Sequence, residues 1–138
     1  MTELRILRVV PASPERVWRA FTDPAALAAW FWPERWQTTA EVELMAGGRY
    51  RIASPISGMA VSGEYTVVDE PTKLAFSWRW DGEGGTSSVT IELAPVDAGT
   101  GITVTHERFA DVDTRDQHVQ GWNDCLDRLP RYLEAQPS

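Results

Sequence analysis

The chain has 138 residues, of which 43% are hydrophobic and 24% are charged, and its formal net charge is −7. This length predicts one domain over residues 1–138 that buries roughly two-thirds of its unfolded surface, and the composition is that of an ordinary globular protein. The acidic balance disfavours nucleic acid and anionic lipid as partners, because both would repel the chain.

The first part of the chain is predicted to form one strand followed by two short helices. Residues 4–10 are rich in large aliphatic and β-branched side chains, which is typical of a strand, and Pro11 ends it. Ser13-Pro14-Glu15 is typical of a helix start, with a capping side chain, a proline and an acid in the first turn. Asp23-Pro24 repeats this signal, so a second short helix should follow and carry Leu27 and Trp30.

A dense aromatic segment comes directly after the second helix. Residues 30–36 hold three tryptophans and one phenylalanine, and the Pro33-Glu34-Arg35 interruption predicts a loop. Such side chains could plug one end of the core or form the mouth of a pocket, and both interpretations stay open at this point.

Residues 38–107 alternate between apolar and polar side chains, which predicts strands with one face in water. Turn residues divide this region into about six strands joined by short hairpins. In one strand the alternation puts Tyr65 and Val67 on the same face. The next strand places four large side chains on one face, namely Leu74, Phe76, Trp78 and Trp80.

The last predicted element is a long amphipathic helix over residues 113–135. Thr114 followed three residues later by Gln117 matches a capping box, which places the first helical residue at Arg115. The apolar side chains recur at steps of three and four, at Val119, Trp122, Leu126, Leu129 and Leu133.

Two residues inside this helix disfavour a regular helical conformation. Pro130 removes an amide donor, so we expect a kink there, with Tyr132 and Leu133 continuing the apolar face. Gly121 costs up to about 1 kcal/mol relative to alanine in a helix interior. We therefore expect another part of the chain to pack closely against the helix at Gly121.

The sequence also bears on location and redox state. The first residues lack the features of a signal peptide, and no apolar run is long enough to span a membrane, so we expect a cytoplasmic protein. Cys125 is the single cysteine, which excludes an intrachain disulfide and a cysteine-based zinc site. Its position near the apolar face of the helix favours an inert buried thiol. A monomer and a homodimer are equally compatible with these features.

The order of the elements predicts the fold class. One strand, two short helices, about six strands and one long helix occur without βαβ alternation. Hairpin-connected strands form an antiparallel sheet, and one face of such a sheet needs a cover that the last helix can supply. We therefore predict an α+β fold of about seven strands curled around the last helix, with the two short helices supporting one end of that helix.

Several short motifs resemble those of the START-like helix-grip superfamily. They are residues 8–18, Thr22-Asp23-Pro24, Trp30, Gly47-Gly48, Gly63-Glu64-Tyr65, residues 71–78 and Gly121-Trp122. Within that superfamily the chain is most similar to the group named for the activator of the heat-shock-protein-90 ATPase, over almost its whole length. The resemblance implies a seven-stranded sheet that grips the last helix, with a cavity between them. Members of the superfamily bind lipids, hormones or polyketides, and a few are cyclases or hydrolases.

The tryptophans give the strongest functional signal. Seven of them in 138 residues offer flat apolar walls for a ring-bearing or acyl ligand, although the same side chains could simply fill the core. We place Trp122 against Trp78 or Phe76, across the cavity. The candidate ligand-binding residues are Trp30, Phe31, Trp36, Met59, Phe76, Trp78, Trp80, Val104, His106, His118, Trp122 and Leu126.

No catalytic motif is recognisable, and no cofactor or metal is predicted. His106 and His118 are the only histidines, and their separation of twelve residues matches no metal-ligand spacing. Both could point inward, which makes them weak candidates for a general acid or base. Histidines more often make structural hydrogen bonds. Arg49 and Arg51 share one face of a short strand, where either could anchor an anion, although such arginines are more often solvated.

Three hypotheses for the function follow. The leading one is binding of a small hydrophobic molecule between the sheet and the last helix. The second is an enzyme of cyclase or hydrolase type that uses the same cavity, with His106, His118 or an inward carboxylate as its acid or base. The third is stimulation of a chaperone ATPase, which only the family name suggests.

Overall fold

A computed structural model describes residues 2–136, which form one sheet and three α-helices. The strands are β1 (Thr2–Val10), β2 (Thr39–Val42), β3 (Arg49–Ala53), β4 (Ala60–Asp69), β5 (Lys73–Trp80), β6 (Ser87–Val96) and β7 (Gly99–Phe109). The helices are α1 (Pro14–Thr22), α2 (Pro24–Trp30) and α3 (Val112–Ala135), and a 3-10 turn lies at Glu34–Trp36.

The seven strands pair in the order β1-β7-β6-β5-β4-β3-β2, and every neighbouring pair is antiparallel. Sequential hairpins build the sheet from β2 to β7, and β1 adds at the far edge beside β7. The two short helices connect these opposite edges and both contact α3. This is the predicted α+β helix-grip arrangement, with its predicted number of strands.

The starts of the two short helices are confirmed. The Ser13 hydroxyl accepts a hydrogen bond from the Arg16 amide at 3.3 Å, and a proline follows at the first helical position. The Asp23 carboxylate accepts one from the Ala26 amide at 3.0 Å and caps α2 in the same way. Each cap satisfies an amide that the first helical turn leaves without a partner.

The core lies between α3 and one face of the sheet. The buried residues of α3 include Trp122, Leu126, Leu129 and Leu133, which confirms most of the predicted apolar face. They share one hydrophobic cluster with inward residues of the sheet such as Ile91. Cys125 is also buried, as predicted. Among residues 2–136, no helix is both long and apolar enough to cross a bilayer.

Helix α3 begins earlier than predicted. Asp111 has an extended backbone, and its Oδ1 accepts a hydrogen bond from the Thr114 amide at 2.7 Å. Asp111 is therefore the N-cap and Val112 the first helical residue, so the capping box that we placed at Thr114 was wrong. An aspartate three residues upstream supplies the same acceptor and moves the start by one turn.

The two unfavourable residues inside α3 have different outcomes. The helix continues across Pro130 to Ala135, with Leu133 buried and Tyr132 half-buried. The close packing predicted at Gly121 was wrong, because a Cβ there would meet nothing within 4 Å beyond its chain neighbours and the helix backbone. By contrast, a Cβ at Gly63 would collide with the carbonyl oxygen of Ser77 on the neighbouring strand.

The pairing of β4 with β5 contains an irregularity that reverses one predicted face. Tyr65 pairs with Phe76, but the register shifts before Val67, and Val68 pairs with the buried Leu74. As a result Val68 packs against the core and Val67 does not, so the shared face of Tyr65 and Val67 was wrong. An extra residue in one strand inverts the alternation beyond it, as β-bulges do.

Candidate functional site

A cleft of about 630 Å³ opens at one end of the core. Four parts of the chain enclose it: residues 114–128 of α3, the aromatic segment after α2, the loop leading into β4, and the end of β5 with the turn after it. Its volume falls in the range of small-molecule sites. The lining residues are Phe31, Trp32, Pro33, Arg35, Trp36, Gly58, Met59, Ala60, Trp78, Trp80, Asp81, Glu83, Thr114, Gln117, His118, Gly121, Trp122, Asp124, Cys125 and Arg128.

The centre of the core, in contrast, is almost completely filled. The void between the sheet and α3 measures about 20 Å³ and is bordered by Tyr65, Phe76, Trp78 and Trp122 among others. A void of this size accommodates about one water molecule. The space available to a larger ligand therefore lies at the end of the core.

The sheet side of the cleft is an aromatic wall. Alternation along β5 turns Trp78 and Trp80 to the inner face, where their rings pack edge to face at 5.5 Å between centroids. The ring of Trp32 lies parallel to Trp80, with an interplanar angle of 10° and centroids 6.1 Å apart. Trp36 packs against the edge of Trp32 at 5.4 Å. Trp80 and Trp36 keep part of their surface exposed, so this wall can contact a bound molecule.

The opposite wall is one face of α3. Thr114, His118, Gly121, Cys125 and Arg128 follow one another at steps of three and four and all line the cleft. This spacing places them on one side of the helix. Thr114, Gly121 and Cys125 on this face are small, and a Cβ at Gly121 would meet nothing within 4 Å beyond its chain neighbours and the helix backbone.

Arg128 fixes the aromatic segment to α3. Its Nε donates to the carbonyl oxygen of Trp30 at 3.1 Å, and its Nη2 donates to that of Phe31 at 2.7 Å. These carbonyls belong to the end of α2, where backbone acceptors have no partner within the helix. The guanidinium thus holds the start of the tryptophan-rich segment in place.

His106 is fully buried behind the aromatic wall, and both of its ring nitrogens are engaged. The indole Nε1–H of Trp122 donates to Nδ1 at 3.0 Å, and because an indole can only donate, Nδ1 carries no proton. The neutral ring therefore donates from Nε2 to the Ser87 hydroxyl at 2.6 Å. Burial, and secondarily the neighbouring His118, lower the pKa of His106 to about 3. His106 is thus a neutral structural residue at ordinary pH.

His118 lines the cleft and is held in a similar way. Its Nε2 accepts from the indole Nε1–H of Trp80 at 2.9 Å, which leaves the proton on Nδ1. Nδ1 lies 2.8 Å from the carbonyl oxygen of Thr114, to which it donates. The imidazole therefore positions the Trp80 ring, and both nitrogens are occupied by the protein itself.

Most other polar groups of the cleft have partners or lie at its rim, but the buried indole Nε1–H of Trp78 finds no hydrogen-bond acceptor among residues 2–136. Asp81 forms an ion pair with Arg51 at 2.7 Å, and Asp124 accepts a hydrogen bond from Gln120. Arg51 is 43% exposed in its side chain, so the solvated interpretation of this arginine holds and it does not anchor an anion inside. Burial raises the pKa of the Cys125 thiol to about 12, which keeps it protonated.

The structure brings together part of the predicted ligand-binding set. Phe31, Trp36, Met59, Trp78, Trp80, His118 and Trp122 all line the cleft. Trp122 lies against Trp78 as predicted, with centroids 5.5 Å apart. The remaining members are buried outside the lining of the cleft, and these are Trp30, Phe76, Val104, His106 and Leu126.

Several lining residues were not predicted, and α3 shows which signal could have found them. Counting in helical steps from His118 reaches Gly121, Cys125 and Arg128, so the helical period alone would have placed them beside it. Trp32 lies in a loop without a helical period, and its sequence signal was the aromatic segment 30–36, for which a pocket mouth was one of the two interpretations. In the part of the chain that the structure describes, no three His, Cys, Asp or Glu residues are grouped to hold a metal ion.

A second, more charged cleft of about 530 Å³ lies beside α1 and the end of α3. Arg16, Arg19, Asp23 and Glu70 line it together with Trp18, Tyr132 and others. The Nη2 of Arg16 donates to the carbonyl oxygen of Leu133 at 2.7 Å. Both clefts have a tryptophan in their walls, so Trp18 in this one can serve as a reference for the tryptophans of the aromatic cleft.

Comparisons with known proteins agree with this architecture. The family model of activator of Hsp90 ATPase homolog 1-like proteins matches residues 11–134. A Chromobacterium violaceum protein of solved structure is 31% identical, with a TM-score of 0.83 over 97% of this chain and 99% of that one. A Rhodobacter sphaeroides protein is 29% identical, with a TM-score of 0.84 over 98% and 94%.

The similarity extends to a protein with a stated role. An HSP90 activator from Plasmodium falciparum is 25% identical, with a TM-score of 0.78 over 96% of both chains. A comparison with curated proteins gives no match. The family match covers most of the chain, and the chain accordingly belongs to the family of activator of Hsp90 ATPase homolog 1-like proteins.

Proposed function

We propose that the chain, acting as a single cytoplasmic domain over residues 1–138, binds a small ring-bearing hydrophobic molecule in the cleft at the end of the core. The observation that carries this proposal is the contrast in space, about 630 Å³ in the cleft against about 20 Å³ in the centre. Trp80 and Trp36 give the cleft flat apolar surfaces that are still partly exposed. Burying such surfaces against a ligand ring is favourable in water.

The charges around the cleft favour a neutral ligand. Asp81 is paired with Arg51, and Arg128 keeps its positive charge but directs its Nε and Nη2 to two backbone carbonyls, so these donors are already engaged by the protein. Arg35 and Glu83 are exposed at the rim, where water screens them. A charged ligand would lose its hydration without gaining a buried partner.

The histidines support binding rather than catalysis. A general acid or base needs a ring nitrogen within hydrogen-bond reach of the reacting group. In His106 and His118 both nitrogens already bond to the protein. A cyclase or hydrolase mechanism that used His118 would first have to break one of its two hydrogen bonds, to Trp80 or to the Thr114 carbonyl.

The test uses the neutral fluorescent probe N-phenyl-1-naphthylamine and two matched variants. Met59 lines the cleft and Ile56 lies on the same loop outside it, with exposed fractions of 40% and 60%. Met59→Arg puts a charge into the apolar site and should weaken probe binding by about tenfold or more. Ile56→Arg adds the same charge on the surface and should leave the affinity within about twofold.

Two results would contradict the proposal. One is a wild-type protein whose titration with the probe gives no saturable signal. The other is an equal loss of affinity in both variants, since a general charge effect would then explain it. Far-ultraviolet circular dichroism of each variant confirms that the fold is retained.

A second candidate function is stimulation of a chaperone ATPase. It is supported by the similarity to the HSP90 activator from Plasmodium falciparum. A purified HSP90 ATPase assay with and without this protein tests it. An unchanged turnover at a saturating concentration of the protein would remove this candidate.

A further inference from the structure

Gly121 lies in the interior of a 24-residue helix, where neither its own conformation nor its packing requires a glycine. Its φ is outside the left-handed region, in contrast to Gly47, Gly58, Gly82 and Gly99. A Cβ at this position would meet nothing within 4 Å beyond its chain neighbours and the helix backbone. A glycine in a helix interior lowers helix stability, and neither of these reasons explains it here. The open space beside its backbone therefore indicates a function of its own.

The space left by that missing side chain belongs to the cleft. Gly121 lines it between His118 and Cys125 on the same face of α3. On the sheet side the cleft is walled by Trp80 and by Met59. Any side chain added at Gly121 would therefore occupy volume that is open to a ligand.

The fixed neighbours make this volume well defined. His118 is held by hydrogen bonds to Trp80 and to the Thr114 carbonyl, and Arg128 is held by two carbonyls of the aromatic segment. These side chains cannot turn into the gap without breaking those bonds. These bonds therefore keep His118 and Arg128 out of the gap beside the Gly121 backbone.

We propose that Gly121 is a specificity-determining residue, which lets a flat ring lie directly against the backbone of α3 opposite the tryptophan wall. This inference rests on the proposed binding function and adds the class of ligand: a planar, multi-ring molecule. A ligand of that shape fills the slot between a flat indole wall and a bare helix surface. A branched or globular hydrophobic molecule does not.

The experiment measures binding of N-phenyl-1-naphthylamine to the wild-type chain, Gly121→Ala, Gly121→Leu and the control Asp116→Leu. Asp116 is exposed on α3, lies outside the cleft lining and pairs with its neighbour Arg115 at the helix surface. Gly121→Leu should weaken binding by about tenfold or more, and Gly121→Ala by about threefold, because each fills part of the slot. Asp116→Leu should bind like the wild type.

The melting temperature separates blocking of the site from damage to the fold. Gly121→Ala should melt at a higher temperature than the wild type while it binds more weakly, a combination that a merely structural role of Gly121 would not produce. Wild-type affinity in Gly121→Leu would overturn the role of Gly121 and leave the binding function intact. A wild-type chain that binds no probe would instead overturn the binding function, and this inference with it.

Discussion

The centre of the core and the cleft at its end share Phe31, Trp78 and Trp122 as borders but differ about thirtyfold in open volume, about 20 Å³ against about 630 Å³. Both regions have aromatic side chains on the sheet side. The difference lies in what α3 presents to them. In the core it buries Leu126, Leu129 and Leu133, whereas toward the cleft it presents the small Thr114 and Gly121 together with polar side chains such as His118 and Arg128.

The number of aromatic residues therefore does not determine whether the interior of a helix-grip fold is filled or open. A tryptophan fills space when a large side chain faces it and lines space when a small one does. Trp122 shows both situations, because it borders the central void and the cleft at once. Replacing Trp122 therefore alters both regions, whereas substitutions at His106 or Gly121 alter one of them.

The largest effect is expected from Trp122→Ala. Trp122 is 3% exposed, so truncation removes a buried aromatic side chain and leaves Nδ1 of His106 without its donor. We expect the free energy of unfolding to fall by about 3 to 5 kcal/mol, measured by urea denaturation. Trp122→Phe keeps most of the packing and should lose distinctly less. A truncation that costs under about 1 kcal/mol would mean that Trp122 does not bridge the two regions.

The next prediction uses pH to test the filled centre. The pKa of His106 is about 3 in the folded protein, so only the unfolded chain takes up its proton between about pH 6.5 and 3. Stability must therefore fall as the pH drops through this window. We expect a loss of about 2 kcal/mol between pH 7 and pH 5, where carboxylates still remain ionised.

The variant His106→Gln isolates this contribution. It cannot take up a proton in this range, so its stability should change less between pH 7 and pH 5 than that of the wild type. Denaturant melts at both pH values give the comparison. Equal pH dependence in the two proteins would show that His106 is not buried in its neutral form.

Arg128→Ala addresses the link between α3 and the aromatic segment. The substitution leaves the carbonyls of Trp30 and Phe31 without their charged donor and should cost about 1 to 2 kcal/mol in thermal or denaturant unfolding. Arg131 is an exposed arginine of the same helix and serves as the control. If Arg131→Ala destabilises the protein as much, the carbonyl contacts are not responsible.

The smallest expected effect has the opposite sign. Gly121→Ala should raise the free energy of unfolding by about 0.5 to 1 kcal/mol, because alanine favours the helix and the added methyl group meets only open space. Gly63→Ala should destabilise, since its Cβ would collide with the Ser77 carbonyl. A loss of stability in both variants would place another part of the chain beside Gly121 and close the cleft there.

The fold was largely predictable because its signals are local and repeated. Alternation along strands such as β5, and the helical period of α3, do not depend on distant contacts. The errors came where two local signals compete or where an irregularity interrupts the period. Asp111 replaced Thr114 as the cap of α3, and an extra residue before Val67 moved Val68 to the core.

The site was less predictable because its geometry depends on where the packing of side chains leaves open space. A glycine inside a helix has the same sequence signal whether a neighbour packs against it or a cleft opens beside it, and for Gly121 only the three-dimensional structure distinguishes the two. The same holds for Val104 and Leu126, which lie on inward faces but in the filled centre. The period of a strand or helix shows which way a side chain points. It does not show how far away the residues that face this side chain lie.

The most direct test of this account follows the indole N–H resonances of the tryptophans by two-dimensional nitrogen-15 nuclear magnetic resonance during titration with N-phenyl-1-naphthylamine. The signals of Trp32, Trp36 and Trp80, which line the cleft, should shift at the concentration where fluorescence saturates. The signals of Trp30, buried in the core, and Trp18, beside the second cleft, should stay in place. Shifts confined to Trp18 or Trp30, or no shift at saturation, would contradict it.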